Sequence, residues 1–257
     1  MMPFMILWEV CLKMIAIKIN NLVKEYKDIV AVDDLNLEIE EGELFALLGV
    51  NGAGKTTTIK MLSTLTKPTS GDAFIYNHSI VSDESSIKEL VDISMQETAI
   101  ARKLSVEENI EFYASLSGQT KEEVEETKRY IYDAFGLEKI SKKQASKLSG
   151  GWQRKLSIAL ALVTKPKVLF LDEPTLGLDV ISRRELWKII RNLKDKMTII
   201  LTTHYMEEAE SLADKIGIMK DGKLLFVGNK EELFETTGKK NVEEAFIEIV
   251  AGGEHNE

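Results

Sequence analysis

Cysteine is almost absent from this chain of 257 residues, which also lacks a long apolar run and an excess of basic side chains. The single cysteine, Cys11, cannot form a disulfide within the chain, so a reducing, cytosolic setting fits best. The formal net charge of -9 argues against a broad basic surface for nucleic-acid backbones. The net charge leaves room for a small local basic patch, but we expect no nucleic-acid partner.

The apolar runs are too short to span a bilayer, which takes about 20 consecutive residues. The most apolar of them, MMPFMILWEVCL at the N-terminus, has no basic segment before it and is interrupted by Glu9, which argues against a signal peptide. We interpret residues 1–14 as an extension outside the core, disordered or docked, with a membrane-touching anchor as the alternative. Any role at a membrane then requires a partner.

The apolar pattern predicts an α/β fold built as one domain, residues 15–240, with a lobe attached. Alternation in IAIKINNLV and LNLEI predicts an N-terminal antiparallel β subdomain. Almost continuous apolar runs follow in LFALLG, VDISM, KVLFLDEP and MTIILTTH, separated by helical patterns. Strands of this kind are typical of a mostly parallel sheet buried between helices.

The stretch between Gln96 and Thr164 contains no such strand pattern, but it contains two sequences typical of helix starts. Ser105 with Glu108, and Thr120 with Glu123, match capping boxes. We therefore predict an inserted α-helical subdomain at about residues 97–165. Its charge run KEEVEETKRY is interpreted as a solvated helix face.

Near the end of the chain, Asp221 and Gly222 lie between two apolar runs, which predicts a tight two-residue β-hairpin. Helical patterns follow Gly228, and we assign residues 241–257 to a C-terminal helix and a polar tail.

The stretch GVNGAGKTT points to a phosphate site. Gly49, Gly54, Lys55 and Thr56 match the pattern G-x-x-x-x-G-K-[ST], after a predicted strand and before a predicted helix. Glycines let successive backbone N–H groups converge on an anion, and the helix start adds its positive end. We expect Lys55 at the outer phosphates and Thr56 on Mg²⁺, within a P-loop NTPase fold.

Two adjacent carboxylates end the run KVLFLDEP. Asp172 follows four apolar residues, where a carboxylate at the end of a neighbouring strand can hold Mg²⁺. Alternation aims Glu173 differently, toward a water that attacks the terminal phosphate, which is the position of a general base. Together with the phosphate loop, this pair predicts a magnesium-dependent nucleotide hydrolase, a description that many families share.

A second helix start suited to an anion lies in LSGGWQRKLSIALAL, where Ser149, Gly150 and Gly151 precede an amphipathic pattern. Because the first loop already surrounds one side of a triphosphate, a second cradle suggests that two copies of the chain face each other. Alone, the same residues are also consistent with an ordinary helix cap.

The sequence LSGGWQRK resembles the signature motif of ABC-type ATPases, and further motifs follow the order found in that family. Tyr26 is similar to the aromatic residue that stacks on adenine, and Gln96 to the glutamine of the Q-loop. Asp179, at the end of GLD, resembles the D-loop aspartate, and His204 the switch histidine. The resemblance runs from about Ile15 to Gly228.

The resemblance implies ATP as the nucleotide, Mg²⁺ as the cofactor and a role for each matching residue. Thr56, Gln96 and Asp172 would surround Mg²⁺, Glu173 would polarise the attacking water, and His204 would contact the γ-phosphate. Ser149, Gly150 and Gly151 would act on the partner's ATP, and Asp179 would join the two sites. The residues implied to wrap the phosphates are Gly49, Asn51, Gly52, Ala53, Gly54, Lys55, Thr56 and Thr57.

The resemblance also implies work at a membrane. The segments TTHYMEEAESLADKIGIMKDGKLLFVG and NVEEAFIEI are similar to ATPase subunits of exporters of drugs, lipids or polysaccharides. The implied partners are integral membrane permease subunits and a second ATPase, as a homodimer or with a sister chain. The implied location is cytoplasmic, peripheral on the inner face of the cell membrane. The alternative is a soluble ABC ATPase acting on ribosomes or DNA.

Overall fold

The structure is a computed structural model that describes residues 14–194 and 196–252. Apart from Met14, the predicted N-terminal extension lies outside the described residues, as does the end of the predicted tail, 253–257. The strands in the described ranges are β1 (Ile15–Tyr26), β2 (Ile29–Glu40), β3 (Leu44–Leu48), β4 (Ser70–Ile75), β5 (His78–Ser79), β6 (Val91–Ser94), β7 (Val168–Asp172), β8 (Thr198–Thr203), β9 (Lys215–Lys220) and β10 (Lys223–Gly228).

The helices all come after the first three strands in the chain, and two short 3₁₀ turns lie between the fourth and fifth of them. They are α1 (Lys55–Leu62), α2 (Glu84–Leu90), α3 (Val106–Leu116), α4 (Lys121–Phe135), the 3₁₀ turns Glu138–Ile140 and Ala145–Lys147, α5 (Gly150–Leu160), α6 (Val180–Lys194), α7 (Met206–Leu212), α8 (Lys230–Thr237) and α9 (Val242–Gly252).

The strands form two sheets of different kinds. A four-stranded antiparallel sheet has the order β2-β1-β4-β5, and a six-stranded sheet has the order β10-β9-β3-β8-β7-β6. Strands β9, β3, β8, β7 and β6 pair in parallel, and only β10 at the edge is antiparallel to its neighbour. This arrangement confirms the predicted fold class, with a mostly parallel buried sheet and an N-terminal antiparallel subdomain.

Both faces of the six-stranded sheet are covered, which explains its continuous apolar runs. All five residues of β3 are buried, and alternate side chains enter different cores. Leu44, Ala46 and Leu48 pack with the helices on one face. Phe45 and Leu47 pack with α1 and the antiparallel sheet on the other face. The phosphate loop at the end of β3 is thus anchored by the centre of the fold.

Helices α3, α4 and α5 lie between β6 and β7 in the chain and form the inserted helical part of the fold. Ser105 and Thr120 form the two predicted capping boxes, each with its glutamate three residues later. The charge run on α4 differs from expectation at Lys128, which is buried. Its ammonium binds the carboxylates of Glu107 and Glu111 at 2.8 Å each, so part of this face packs against α3 rather than water.

The C-terminal elements return to the central sheet. Asp221 and Gly222 both have positive φ, at 48° and 82°, and form the predicted two-residue turn between β9 and β10. Helix α9 packs Val242, Ala245 and Phe246 into the same core as the central strands. Across the described residues, no helix combines the length and the apolarity that crossing a membrane demands.

Candidate active site

A cleft of about 430 Å³ opens where β3 meets α1. Most of its walls come from the loop of GVNGAGKTT, and the remainder from Ala31 on β2 and from residues that follow strands β6, β7 and β8. The residues lining it are Ala31, Asn51, Gly52, Ala53, Gly54, Lys55, Thr56, Thr57, Gln96, Glu173, Leu176 and His204.

The loop adopts a conformation that only glycine accommodates at two of its positions. Gly54 has φ 108°, and a Cβ there would lie 2.3 Å from the carbonyl oxygen of Ala31. A Cβ on Gly49 would lie 2.4 Å from the carbonyl oxygen of Met219. The loop therefore packs directly on neighbouring backbone from β2 and β9. The N-terminus of α1, which carries the positive end of the helix dipole, begins at this loop.

Lys55 is a buried cation on the first turn of α1. Its Nζ donates to the carbonyl oxygens of Gly49 at 2.7 Å and Val50 at 3.1 Å, and lies 3.4 Å from Oε1 of Glu173. The ammonium therefore lies between the loop backbone and the end of β7. This is the position from which it can reach an anion in the cleft.

Asp172 ends β7 with a carboxylate that is 1% exposed. Thr56 Oγ1 donates to its two oxygens at 2.9 and 3.1 Å, and Thr202 Oγ1 donates to Oδ1 at 2.6 Å. The sequence analysis assigned Thr56 and Asp172 to the same magnesium site, and in the structure the two side chains are in direct contact. Thr202 was not predicted, because a threonine inside an apolar strand looks like an ordinary core residue.

Glu173 follows the end of β7 in a left-handed backbone conformation, with φ 47°. Non-glycine residues adopt this region rarely, and strained positions of this kind cluster at functional sites. Its Oε2 lies 2.7 Å from Nδ1 of His204, and its backbone N–H donates to Thr202. The strand has ended, so the divergence of Glu173 from Asp172 comes from this backbone turn and not from strand alternation.

The remaining predicted residue in the cleft is Gln96, which is exposed and lies just beyond β6.

A buried carboxyl group lies on α7, outside the lining of the cleft. The fully buried Glu208 accepts a hydrogen bond from Nε1 of Trp187 at 2.9 Å. Burial raises the pKa of the Glu208 carboxyl above its ordinary value of 4.5, and the nearby charge of Glu173 acts in the same direction.

Seven of the predicted residues lie outside the lining of this cleft. Two of them, Gly49 and Asp172, contact residues of the lining as described above, and the other five lie elsewhere. Tyr26 is 46% exposed at the end of β1, with Nζ of Lys24 4.9 Å from its ring centre. Ser149 and Gly150 are exposed at the start of α5, together with the partly exposed Gly151. Asp179 caps α6, where its carboxylate accepts hydrogen bonds from the backbone of Ile181 and Ser182. Their proposed roles stay predictions.

A family model described as "ABC transporter" matches residues 32–176, which is more than half of the chain. The chain belongs to the ABC transporter family. Its architecture and the motifs around the cleft are those of an ATP-binding cassette with a P-loop NTPase fold.

Curated relatives of this ABC cassette include transport ATPases. It is 44% identical over 217 residues to human "Phospholipid-transporting ATPase ABCA3", covering 83% of this chain but 13% of that protein. It is 38% identical over 224 residues to "Daunorubicin/doxorubicin resistance ATP-binding protein DrrA" of Streptomyces peucetius, covering 87% of this chain and 68% of DrrA. The chain thus spans a small part of the length of ABCA3 and about two thirds of DrrA.

A solved structure of the ATP-binding cassette MJ0796, dimeric and bound to ADP and Pi in a post-hydrolysis state, has the same fold. The TM-score is 0.74 at 26% identity, over 83% of this cassette and 98% of MJ0796.

The oxygen atoms of Thr56 and Asp172 suit a magnesium ion that is bound partly by the protein and partly by phosphate and water. Among residues 14–194 and 196–252, no group of three or more histidine, cysteine, aspartate or glutamate side chains forms a metal cluster. Mg²⁺ is usually bound by one or two carboxylates together with substrate phosphates and water. The adjacent Thr56 hydroxyl and Asp172 carboxylate match that preference.

We predict that replacing Glu208 with glutamine changes how stability depends on pH. A carboxyl whose pKa is raised by folding binds more protons in the folded state, so the wild-type free energy of unfolding falls as pH rises from the unfolded pKa to the folded pKa. The slope approaches at most about 1.4 kcal/mol per pH unit. Glu208→Gln lacks this contribution, so its stability relative to wild type should rise across that window.

The measurement is urea unfolding of both proteins at a series of values from about pH 4 to pH 8. Glu207→Gln is the matched control, because the neighbouring Glu207 is 64% exposed. The control should keep the wild-type profile. Identical profiles for Glu208→Gln and wild type would contradict the assignment.

Proposed function

We propose that this cassette hydrolyses ATP in a magnesium-dependent reaction and that the energy powers export of a substrate through separate membrane subunits. The observation that carries the proposal is the convergence of Lys55, Thr56, Gln96, Glu173 and His204 in one cleft, in a chain of the ABC transporter family. The transport part rests additionally on the relatives DrrA and ABCA3, whose names describe drug resistance and phospholipid transport.

The phosphates of ATP would bind the loop between β3 and α1, where the helix start and Lys55 provide positive potential. Lys55 would exchange its contacts with the carbonyl oxygens of Gly49 and Val50 for phosphate oxygens. Thr56, Asp172 and Gln96 would hold Mg²⁺. When bound, the ion neutralises charge on the phosphate oxygens.

Glu173 would accept a proton from the attacking water, which general-base catalysis requires to be within hydrogen-bond reach. Its carboxylate is fixed from two sides, by Lys55 at 3.4 Å and by His204 at 2.7 Å. His204 is 30% exposed toward the cleft and would contact the γ-phosphate while it orients Glu173. The two residues would therefore act as a pair.

The signature turn would complete the site of a second copy. Ser149 is exposed and makes no capping hydrogen bond to its own helix, so its hydroxyl is available to another molecule. Ser149, Gly150 and Gly151 would contact the ATP bound by the partner, and Asp179 would lie at the junction. The dimeric MJ0796 cassette supports this arrangement. The working pair would be a homodimer or include a sister ATPase.

The cassette would act on the cytoplasmic side of the cell membrane as a peripheral subunit of an integral membrane permease. We expect the permease to contact the helical part near Gln96, so that the magnesium site and the membrane subunits communicate. No observation favours action on ribosomes or DNA.

For Glu173→Gln we predict retained ATP binding, a fall in hydrolysis of at least about a hundredfold and an ATP-trapped dimer. The amide keeps the size of the side chain but cannot accept a proton from water. Nucleotide binding, steady-state phosphate release and size-exclusion chromatography measure the three effects. Glu138→Gln, on an exposed turn, is the control and should behave as wild type. Undiminished turnover would remove Glu173 from its role.

Mixing two defective variants tests completion in trans. In the Glu173→Gln background, Lys55→Ala removes the cradle's cation and Ser149→Arg blocks the signature turn. We predict that neither protein alone forms an ATP-dependent dimer, because each homodimer has two damaged sites. A mixed dimer contains one intact composite site, so dimer should reappear in the mixture on size-exclusion chromatography. Absence of any recovery would count against the two-chain site.

The export proposal is tested with the native partner. We predict that the tagged cassette, isolated from its own membranes, co-purifies with an integral membrane protein and supports ATP-dependent substrate movement in inside-out vesicles. The Glu173→Gln cassette should assemble equally well but transport nothing. Co-sedimentation with ribosomes in place of a membrane protein would overturn the proposal.

A further inference from the structure

Arg154 is a buried cation that the proposed mechanism leaves without a role. It lies on α5, one turn after the signature residues, and is only 5% exposed. Its guanidinium donates to four backbone carbonyl oxygens. The acceptors are Met95 O, Gln96 O at 3.2 Å, Asp172 O at 2.9 Å and Pro174 O at 2.8 Å.

These four carbonyl oxygens belong to two segments that carry predicted catalytic side chains. Met95 and Gln96 follow β6, and Asp172 and Pro174 flank Glu173 at the end of β7. A single side chain on α5 therefore joins the backbone of the glutamine segment to the backbone of the two carboxylates. Neither Thr56 nor any other residue of the phosphate loop takes part in this set of hydrogen bonds.

Only a guanidinium suits this arrangement. It is planar and offers five N–H donors in fixed directions, whereas a lysine ammonium is a compact point charge. The charges of Asp172, Glu208 and Glu173 surround it and offset part of the cost of burying a cation. Burial lowers the pKa of Arg154 to about 10, so the side chain stays charged at neutral pH.

The contacts also explain how Glu173 keeps its unusual backbone. A left-handed conformation in a non-glycine residue persists only when its surroundings fix it. Arg154 binds the carbonyl oxygen on each side of Glu173, while Thr202 accepts from the Glu173 N–H. Loss of the guanidinium would release two of these three restraints.

We propose that Arg154 is a positioning residue that fixes Glu173 and Gln96 relative to the start of α5. The inference rests on the proposed function. Because α5 begins with the signature turn, contact of that turn with the partner's ATP would be transmitted through one helical turn to the hydrolytic edge of the chain's own site. Arg154 thereby links the two sites of a dimer.

The test compares Arg154→Met and Arg154→Lys with wild type in the full chain. For Arg154→Met we expect ATP affinity within about threefold of wild type, because the phosphate loop is untouched, and kcat lowered at least about thirtyfold, as misplacement of a catalytic group produces. Arg154→Lys keeps the charge but not the fork, and we expect kcat to fall about tenfold. Arg191→Met is the control, because Arg191 also donates to a backbone carbonyl but is exposed.

A second readout addresses the link between sites. In the Glu173→Gln background, where hydrolysis is blocked, adding Arg154→Met should raise the ATP concentration needed for half-maximal dimer at least about tenfold. The double variant is measured at a lower temperature, chosen so that its stability equals that of the Glu173→Gln protein. If Arg154 only stabilised its own chain, the ATP concentration for half-maximal dimer would then be the same for both proteins.

The proposal is overturned if folded Arg154→Met keeps kcat within about threefold of wild type, or loses ATP affinity and kcat in the same proportion. Unchanged dimerisation in the double variant overturns the link between the sites. Failure of both Arg154 variants to fold would mean that the residue serves the fold alone, which also overturns it. Wild-type ATPase activity is measured first, because its absence would refute the proposed function and this inference with it.

Discussion

Asp172 buries a carboxylate at the end of strand β7, and the surrounding elements meet at this residue. A buried carboxylate without hydrogen-bond partners is costly. The hydroxyls of Thr56 and Thr202 bind its oxygens, while Arg154 binds its backbone carbonyl. Helices α1 and α5 and strand β8 are thereby joined to one residue. The shape of the cleft consequently depends on all the elements that meet at the carboxyl ends of the parallel strands, and not on the phosphate loop alone.

The sequence predicted the fold best where a physical pattern is strong. Continuous apolar runs predicted β3, β6, β7 and β8, because strands covered on both faces tolerate few polar residues. Strand β4, SGDAFI, was not predicted, since its first half is polar and exposed and its pairing depends on β1. The seven-residue helix α2 also escaped prediction, because two turns contain too few residues for a clear period.

The residues of the site likewise include some that the sequence predicted and others that it could not. The spacing of the phosphate-loop motif predicted Gly54, Lys55 and Thr56, and the end of the run KVLFLDEP predicted Glu173. The resemblance to ABC-type ATPases implied Gln96, His204 and the other loop residues, and all of these line the cleft. Arg154 and Thr202 could not be predicted, because a polar residue on an amphipathic helix or inside a strand acquires its role only through distant contacts. The left-handed backbone of Glu173 has no signal in the sequence either, since glycine or asparagine is the usual sign of positive φ.

The backing of the phosphate loop comes from far along the chain. Gly49 N–H donates to the Thr203 carbonyl, Gly222 N–H donates to the Ala53 carbonyl, and Met219 closes over Gly49. The segment matched by the family model ends at residue 176, before all three of these supports. A protein trimmed to that segment would contain the complete phosphate-loop motif but would lack the three contacts that support the loop. The smallest part of the chain that keeps all three contacts therefore extends at least to the turn between β9 and β10.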